Sequence, residues 1–143
     1  LSHVGADCAD NEKGGSCVQL VALDDLLEKE NTVLLLKIDV EGFEMQALAS
    51  AQRFLGRSRI AHVLIEMKGE DDLSRRQRLR WLQHVVSAGC TVRMFHVSWS
   101  RAWSPTDPVP DNVWSGNAAD LPDDIEDFWI SGCDHAGAFA GGV

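Results

Sequence analysis

Apolar residues change their spacing along the chain in a way that predicts alternating strands and helices. A continuous apolar run at 33–38 is typical of a strand that a parallel sheet covers on both faces, and 60–67 is expected to form the next buried strand. A shorter run at 18–23 also has the pattern of a strand, and 91–97 is expected to form another. A last strand is expected at 127–131, where the chain can return to the sheet.

Between these runs apolar residues recur at intervals of three and four, which predicts helices. The first helix is expected over 43–55, with Gly56 as its stop. The second is expected to begin near Asp71 and Asp72, since acids favour helix amino termini, and to end at Gly89. Its apolar stripe is Leu73, Leu79, Leu82, Val85 and Val86.

The order strand, helix, strand, helix, strand predicts an α/β fold with right-handed crossovers, a parallel sheet and flanking helices. The last strand can be antiparallel. All 143 residues are expected to form a single domain, with a long loop at 98–127 and a flexible Gly- and Ala-rich tail at 136–143. The four prolines and three of the five tryptophans fall in that loop, which predicts a binding loop or a loop packed on the core.

Charge and composition exclude several kinds of partner. Thirteen Lys and Arg against 22 Asp and Glu give a net charge of −9, which disfavours nucleic acid. No apolar run approaches the roughly 20 residues that span a bilayer, so no membrane partner is expected for this segment. The four cysteines lack metal-binding spacing and are expected to be reduced thiols, with Cys90 buried; no metal is expected, and a cytoplasmic location is favoured.

Acids follow two of the predicted strands at the point where each strand ends. Asp39 and Glu41 follow 33–38, and Glu66 with Lys68 ends 60–67. Ligands of open parallel sheets bind beyond the carboxyl ends of the strands, so these residues are candidates for one shared site. The structural alternative is that Glu41 caps a helix, and that Glu66 pairs with a surface base.

The string at 37–44, KIDVEGFE, together with LDDLL at 23–27 and Ile65-Glu66, resembles the FkbM family of S-adenosylmethionine-dependent methyltransferases. The resemblance covers about 18–68. It implies a partial Rossmann-like class I methyltransferase fold, the cofactor S-adenosylmethionine, and O-methylation of a small-molecule or glycan acceptor. It further implies that Asp39 or Glu41 orients or deprotonates the acceptor hydroxyl, with Lys37 and Glu66 as further catalytic candidates.

The aspartates of the LDDLL string have a structural interpretation. Asp24 and Asp25 follow the run 18–23, and their carboxylates are expected to cap the free backbone N–H groups of a brief helix through Leu27 and Glu28.

The amino-terminal residues depart from the pattern of the family. Methyltransferases of this class hold the cofactor with a glycine loop upstream of the LDDLL string; 4–7 is only loosely similar to it, and Gly14-Gly15 does not match. We therefore expect the chain to represent the carboxyl-terminal half of the domain, to bind the cofactor weakly, and to self-associate through an exposed sheet edge. The alternative is a non-catalytic α/β interaction module derived from a methyltransferase.

Overall fold

The structure is a computed structural model, and it describes six stretches of the chain. These are residues 20–29, 31–67, 71–95, 112–122, 125–133 and 135–143.

Four strands form one sheet in the spatial order β1-β2-β4-β3. The strands are β1 (Thr32–Ile38), β2 (Arg59–Glu66), β3 (Thr91–Phe95) and β4 (Asp127–Ser131). Strands β1 and β2 are parallel, whereas β4 is antiparallel to both β2 and β3. Three strands therefore run in one direction, and the antiparallel last strand lies between two of them.

The helices follow the predicted order, with one addition. They are α1 (Leu23–Leu26), α2 (Glu44–Ala49), α3 (Gln52–Arg57), α4 (Asp72–Ser87) and a short 3-10 helix (Ala118–Asp120). The α/β class is confirmed, because helices connect β1 to β2 and β2 to β3.

The predicted single helix at 43–55 is wrong, since the structure divides it into α2 and α3. Ser50 follows α2 and its hydroxyl donates to Ala47 O at 2.8 Å, whereas Ala51 leaves the helical conformation with φ −115°. The three- and four-residue spacing of apolar residues continues across this break, which is why it predicts one helix. Gly56 lies inside α3 and does not end it, because the helix continues to Arg57.

The LDDLL string builds α1, but its capping role differs from the prediction. Residues 20–22 do not form the expected strand, and 18–19 lie outside the described residues. Asp24 caps a different helix: its carboxylate accepts hydrogen bonds from Phe54 N at 2.7 Å and Arg53 N at 3.1 Å. These are N–H groups in the first turn of α3, so α1 supplies the cap that lets α3 begin.

Helix α4 packs its central part on the sheet. Asp71 caps it by accepting from Leu73 N and Ser74 N, at 2.8 and 2.9 Å. Leu82 and Val85 are buried as predicted, but Leu73 is exposed and does not belong to the stripe. Gly89 follows the helix with φ +87°, a conformation that suits glycine.

Strand β1 is more exposed than the sequence predicts. Its continuous apolar run is typical of a strand covered on both faces, yet Leu34 and Leu35 are 76% and 54% exposed. Within the described residues β1 pairs only with β2, so it forms an edge of the sheet. The run alone cannot distinguish an edge strand from a central one, because both have the same composition.

The outer side of β3 is covered by residues 112–114. Met94 N donates to Asn112 O and Trp114 N donates to Val92 O, at 3.0 and 2.9 Å. Trp114 is buried, as expected for a loop packed on the core. Of the predicted loop, residues 98–111 and 123–124 lie outside the described residues.

The carboxyl-terminal segment 135–143, predicted to be a tail, is packed against the helices. Phe139 and Ala138 are buried, Phe139 O accepts from the indole of Trp81, and Gly141 N donates to Gln52 Oε1 at 2.8 Å. Composition cannot reveal this, since the packing depends on surfaces of α3 and α4 that exist only in the fold.

A disulfide joins Cys90 to Cys133. The prediction of reduced thiols is therefore wrong for this pair, although Cys90 is buried as expected. The two residues are 43 positions apart, and only the antiparallel pairing of β3 with β4 brings them together. Among the described helices, none is both long and apolar enough to cross a membrane.

Candidate functional site

The turn that follows β1 holds an acid in an uncommon conformation. Glu41 has φ +52° and Gly42 has φ +94°, and Phe43 N donates to Val40 O to close the turn. Positive φ at both central residues is the geometry of a type I′ turn. A non-glycine residue in this region costs on the order of 1–2 kcal/mol, and such strain is concentrated at functional sites.

Glu44 stabilises the same turn from inside the protein. Its side chain is 3% exposed, and its carboxylate accepts a hydrogen bond from Gly42 N at 2.9 Å. The last acid of the KIDVEGFE string thus supports the turn instead of facing solvent. A buried carboxylate needs such a partner, because it loses its hydration.

Lys37 and Asp39 form an ion pair at the carboxyl end of β1. Lys37 Nζ lies 2.8 Å from Asp39 Oδ2, and the lysine is the more exposed partner. The hydrogen bond and charge of Asp39 raise the pKa of Lys37, and the charges of Glu66 and Asp127 add to the effect. Three acids therefore favour the protonated form of Lys37: Asp39 at the end of the same strand, Glu66 on β2 and Asp127 on β4.

Glu66 ends β2 and is paired with Asp127, the first residue of β4. Ile38 of β1 pairs with Ile65 of β2, so the residues that follow them, Asp39 and Glu66, lie at neighbouring strand ends. Burial raises the pKa of Asp127, and the charges of Glu66, Glu126 and Asp39 raise it further, against a smaller opposing effect of Lys37. These residues therefore form one electrostatic group, which we name the strand-end cluster: Lys37, Asp39, Glu66 and Asp127.

The structure brings together three of the four predicted site residues. Lys37, Asp39 and Glu66 belong to the strand-end cluster, whereas Glu41 lies in the turn beyond it. Asp127 was missed, because its place in the site depends on β4 being antiparallel. The sequence signal for Asp127 is an acid at the first position of a strand that returns to the sheet. Lys68, the other sequence candidate, lies outside the described residues.

A buried arginine holds the strand ends in place. Arg78 of α4 is 3% exposed, and its guanidinium donates to Met67 O and Ile125 O at 3.2 and 3.0 Å. It also lies over the ring of Phe128, 6.0 Å from the centroid. Arg78 therefore ties the end of β2 to the start of β4.

A shallow cleft opens beside the turn, between α2 and α4. It is lined by Gly42, Glu44, Met45, Gln46, Met67, Ser74, Gln77 and Arg78. The cleft therefore borders both the turn after β1 and the residue that follows β2.

Trp129 lies on β4 two residues after Asp127, so the two side chains share a face of the sheet. Its indole N–H donates to His62 Nδ1 at 3.3 Å, and the guanidinium of Arg93 lies 5.2 Å from the centre of the ring. Trp129 is partly exposed, in contrast to the buried Trp114. Trp99 and Trp103 lie outside the described residues.

Across the six described stretches, no group of three or more His, Cys, Asp or Glu side chains is arranged to hold a metal ion. No described strand is followed by a G-x-G loop of the kind that holds nucleotide cofactors. The candidate glycines at 4–7 and 14–15 lie outside the described residues.

A family comparison assigns the chain to a class of enzymes. The family model described as a methyltransferase FkbM domain matches residues 3–90. This is more than half of the chain, and the protein belongs to the FkbM methyltransferase family. No curated protein and no solved structure matches the chain.

Proposed function

We propose that the protein is an S-adenosylmethionine-dependent O-methyltransferase that acts on a hydroxyl group of a sugar or another small molecule. Membership of the FkbM family supports the reaction class. The observation that carries the proposal is the convergence of Lys37, Asp39 and Glu66 at the carboxyl ends of parallel strands, where open α/β sheets bind ligands.

The described strands are proposed to form part of a Rossmann-like class I sheet. Three strands share one direction and are joined by helices, which supports this interpretation.

The described residues fit the sulfonium and ammonium groups of S-adenosylmethionine better than its adenosine. The carboxylates of the strand-end cluster suit a positively charged sulfonium and its ammonium group, since opposite charges attract most strongly where water is partly excluded. When bound, S-adenosylmethionine supplies an electrophilic methyl group. The adenosine is proposed to be held by residues outside the described stretches, because these contain no glycine loop after a strand.

Asp39 is proposed to orient the acceptor. Its Oδ2 accepts from Lys37, so the ion pair limits the rotation of the carboxylate that would receive an acceptor hydroxyl. Holding the reacting groups in line is worth up to about 7–11 kcal/mol of a two-reactant barrier. Glu66 and Glu41 are proposed to contact the acceptor from the neighbouring strand and from the turn.

The test uses the complete protein encoded by the gene, with labelled S-adenosylmethionine and methyl glycosides of common hexoses and 6-deoxyhexoses as acceptors. Asp39→Asn is expected to lower kcat by at least about 100-fold, because misplacing a reacting group by about 1 Å can cost that much. Asp25→Asn is the matched control, since Asp25 also pairs with a basic side chain, Arg53, but away from the strand ends. It should change kcat by less than about threefold.

Calorimetric titration with S-adenosylmethionine distinguishes a wrong choice of acceptor from a wrong proposed function. If the complete protein neither binds S-adenosylmethionine nor methylates any of these glycosides, the proposal fails. Turnover that is unchanged in Asp39→Asn would remove the role of Asp39 while leaving the reaction class in place.

A self-association surface is proposed at β1. This strand is the open edge of the described sheet, and Leu34 and Leu35 are exposed on it. Unpaired strand edges readily pair with another strand. Light scattering of the chain should show a species larger than the monomer, and Leu35→Lys should reduce its amount; a monomer at all concentrations would refute this.

A further inference from the structure

The strand-end cluster contains two aspartates in different surroundings. Asp39 Oδ2 is bonded to the ammonium of Lys37 at 2.8 Å. Asp127 is paired in register with Glu66, and directly paired residues have Cα atoms about 4.5–5.5 Å apart. One aspartate is therefore bonded to a cation, and the other has an acid beside it.

The position of Asp127 is fixed by contacts on both sides. Glu126 O accepts from Met67 N at 2.7 Å, which joins the start of β4 to the end of β2. Arg78 bridges Met67 O and Ile125 O across the same junction. The Asp127 carboxylate is thus attached to a rigid part of the sheet, as a group that transfers a proton must be.

We propose that Asp127 is the general base of the reaction, while the Lys37–Asp39 pair orients the acceptor. This inference rests on the proposed function. In the step, the acceptor O–H proton passes to an Asp127 carboxylate oxygen, and the electron pair left on the acceptor oxygen forms the bond to the methyl carbon. The carbon–sulfur bond breaks, its electron pair returns to sulfur, and a neutral thioether remains.

The surroundings of Asp127 suit this role better than those of Asp39. A carboxylate that is partly buried beside other acids binds a proton more readily than an exposed one, and burial with the charges of Glu66, Glu126 and Asp39 raises the pKa of Asp127. General bases are most effective when the pKa approaches the working pH. Lys37 opposes the effect, so the proton affinity of Asp127 depends on both neighbours.

The first experiment measures the pH profile of kcat/KM for the complete protein with labelled S-adenosylmethionine and the methyl glycoside that it turns over fastest. Asp127→Asn is expected to lower kcat by about 100-fold or more and to remove the acid limb. Asp120→Asn is the matched control, because Asp120 is an exposed aspartate whose carboxylate accepts a hydrogen bond from the Ser115 hydroxyl. Activity within about threefold of wild type in Asp127→Asn, with the limb retained, would overturn the assignment.

Two further variants provide a readout that a purely structural role would not move. Glu66→Gln removes a negative neighbour and should shift the acid limb to lower pH, whereas Lys37→Gln removes a positive neighbour and should shift it to higher pH. Shifts in the same direction, or none, would contradict the assignment even if both variants lose activity.

Carbon-13 NMR titration of the Asp127 carboxyl group tests the inference without turnover. The expected result is a midpoint above the ordinary aspartate value of 3.8, which moves down in Glu66→Gln. A midpoint at 3.8 would refute the role of Asp127, while methyl transfer by the wild type would leave the proposed function standing. A complete protein that transfers no methyl group and binds no S-adenosylmethionine would refute both.

Discussion

Removing the carboxylate of Asp24 should destabilise the protein through a helix that lies elsewhere in the chain. Asp24 belongs to α1, but its side chain is 11% exposed and accepts from Phe54 N, Arg53 N and the Arg53 guanidinium. The two backbone N–H groups are in the first turn of α3 and would lose their partner in Asp24→Ala. The substitution therefore tests whether this part of the LDDLL string is structural.

The magnitude follows from the cost of losing a helix cap. Replacing an aspartate cap with alanine costs about 0.5–2 kcal/mol. Loss of 1 kcal/mol lowers Tm by about 3 °C in a domain of this size. Asp24→Asn keeps an oxygen that can accept, so it should cost less than Asp24→Ala. Asp25→Ala is the control, since Asp25 contacts only the exposed guanidinium of Arg53 in these interactions.

The pH dependence gives an independent check. Burial opposes the charged form of Asp24, but the hydrogen bonds from Phe54 and Arg53 outweigh it and lower the pKa below its ordinary 3.8. A lowered pKa in the folded state gives stability that is present above 3.8 and is lost as the pH falls through the folded value. The difference between wild type and Asp24→Asn should therefore shrink in acid.

Urea denaturation followed by circular dichroism at several pH values measures both effects. If Asp24→Ala and Asp25→Ala have equal midpoints, the cap across to α3 is not a source of stability. A wild-type advantage over Asp24→Asn that grows below pH 3.8 would refute the sign of the argument.

Two other substitutions test the turn and the buried arginine. Gly42→Ala should destabilise the protein by about 1–2 kcal/mol from its positive φ alone, because an added Cβ meets nothing within 4 Å. Gly56→Ala, inside α3, should instead stabilise it by about 0.5–1 kcal/mol. If urea denaturation shows that both substitutions change the free energy of unfolding in the same direction, this reasoning is contradicted. Arg78→Met keeps an apolar stem but removes two buried donors, so it should cost at least about 2 kcal/mol. Exposed Arg76→Met is its control, and equal Tm values for the two variants would show that the bridge adds no stability.

Much of the element order was predictable, because local patterns decide it. The strands β1, β2 and β4 and the helix α4 lie within one or two residues of their predicted bounds. Each has a regular spacing of apolar residues and a residue that marks its boundary, such as Asp71 at the start of α4. The break at Ser50 was not predictable, since it depends on a cap that Asp24 brings from another part of the chain.

The candidate site was predictable where its residues are adjacent to strand ends. Asp39 and Glu66 could be named because each follows a recognisable apolar run, and the KIDVEGFE string added a family. Asp127 could not be placed, because its neighbours depend on the insertion of β4 between β2 and β3. The same insertion joins Cys90 to Cys133, against the expectation of free thiols.

The sequence by itself determined the α/β class, the acids at the ends of β1 and β2, and the resemblance to the FkbM family, because these depend on residues close together in the chain. Only the tertiary structure decided that Asp24 caps α3, that Arg78 is buried, and that Asp127 joins the strand-end cluster. The reason is physical: a side chain's proton affinity and hydrogen-bond partners depend on the charges and carbonyl groups around it, and strand order sets those neighbours.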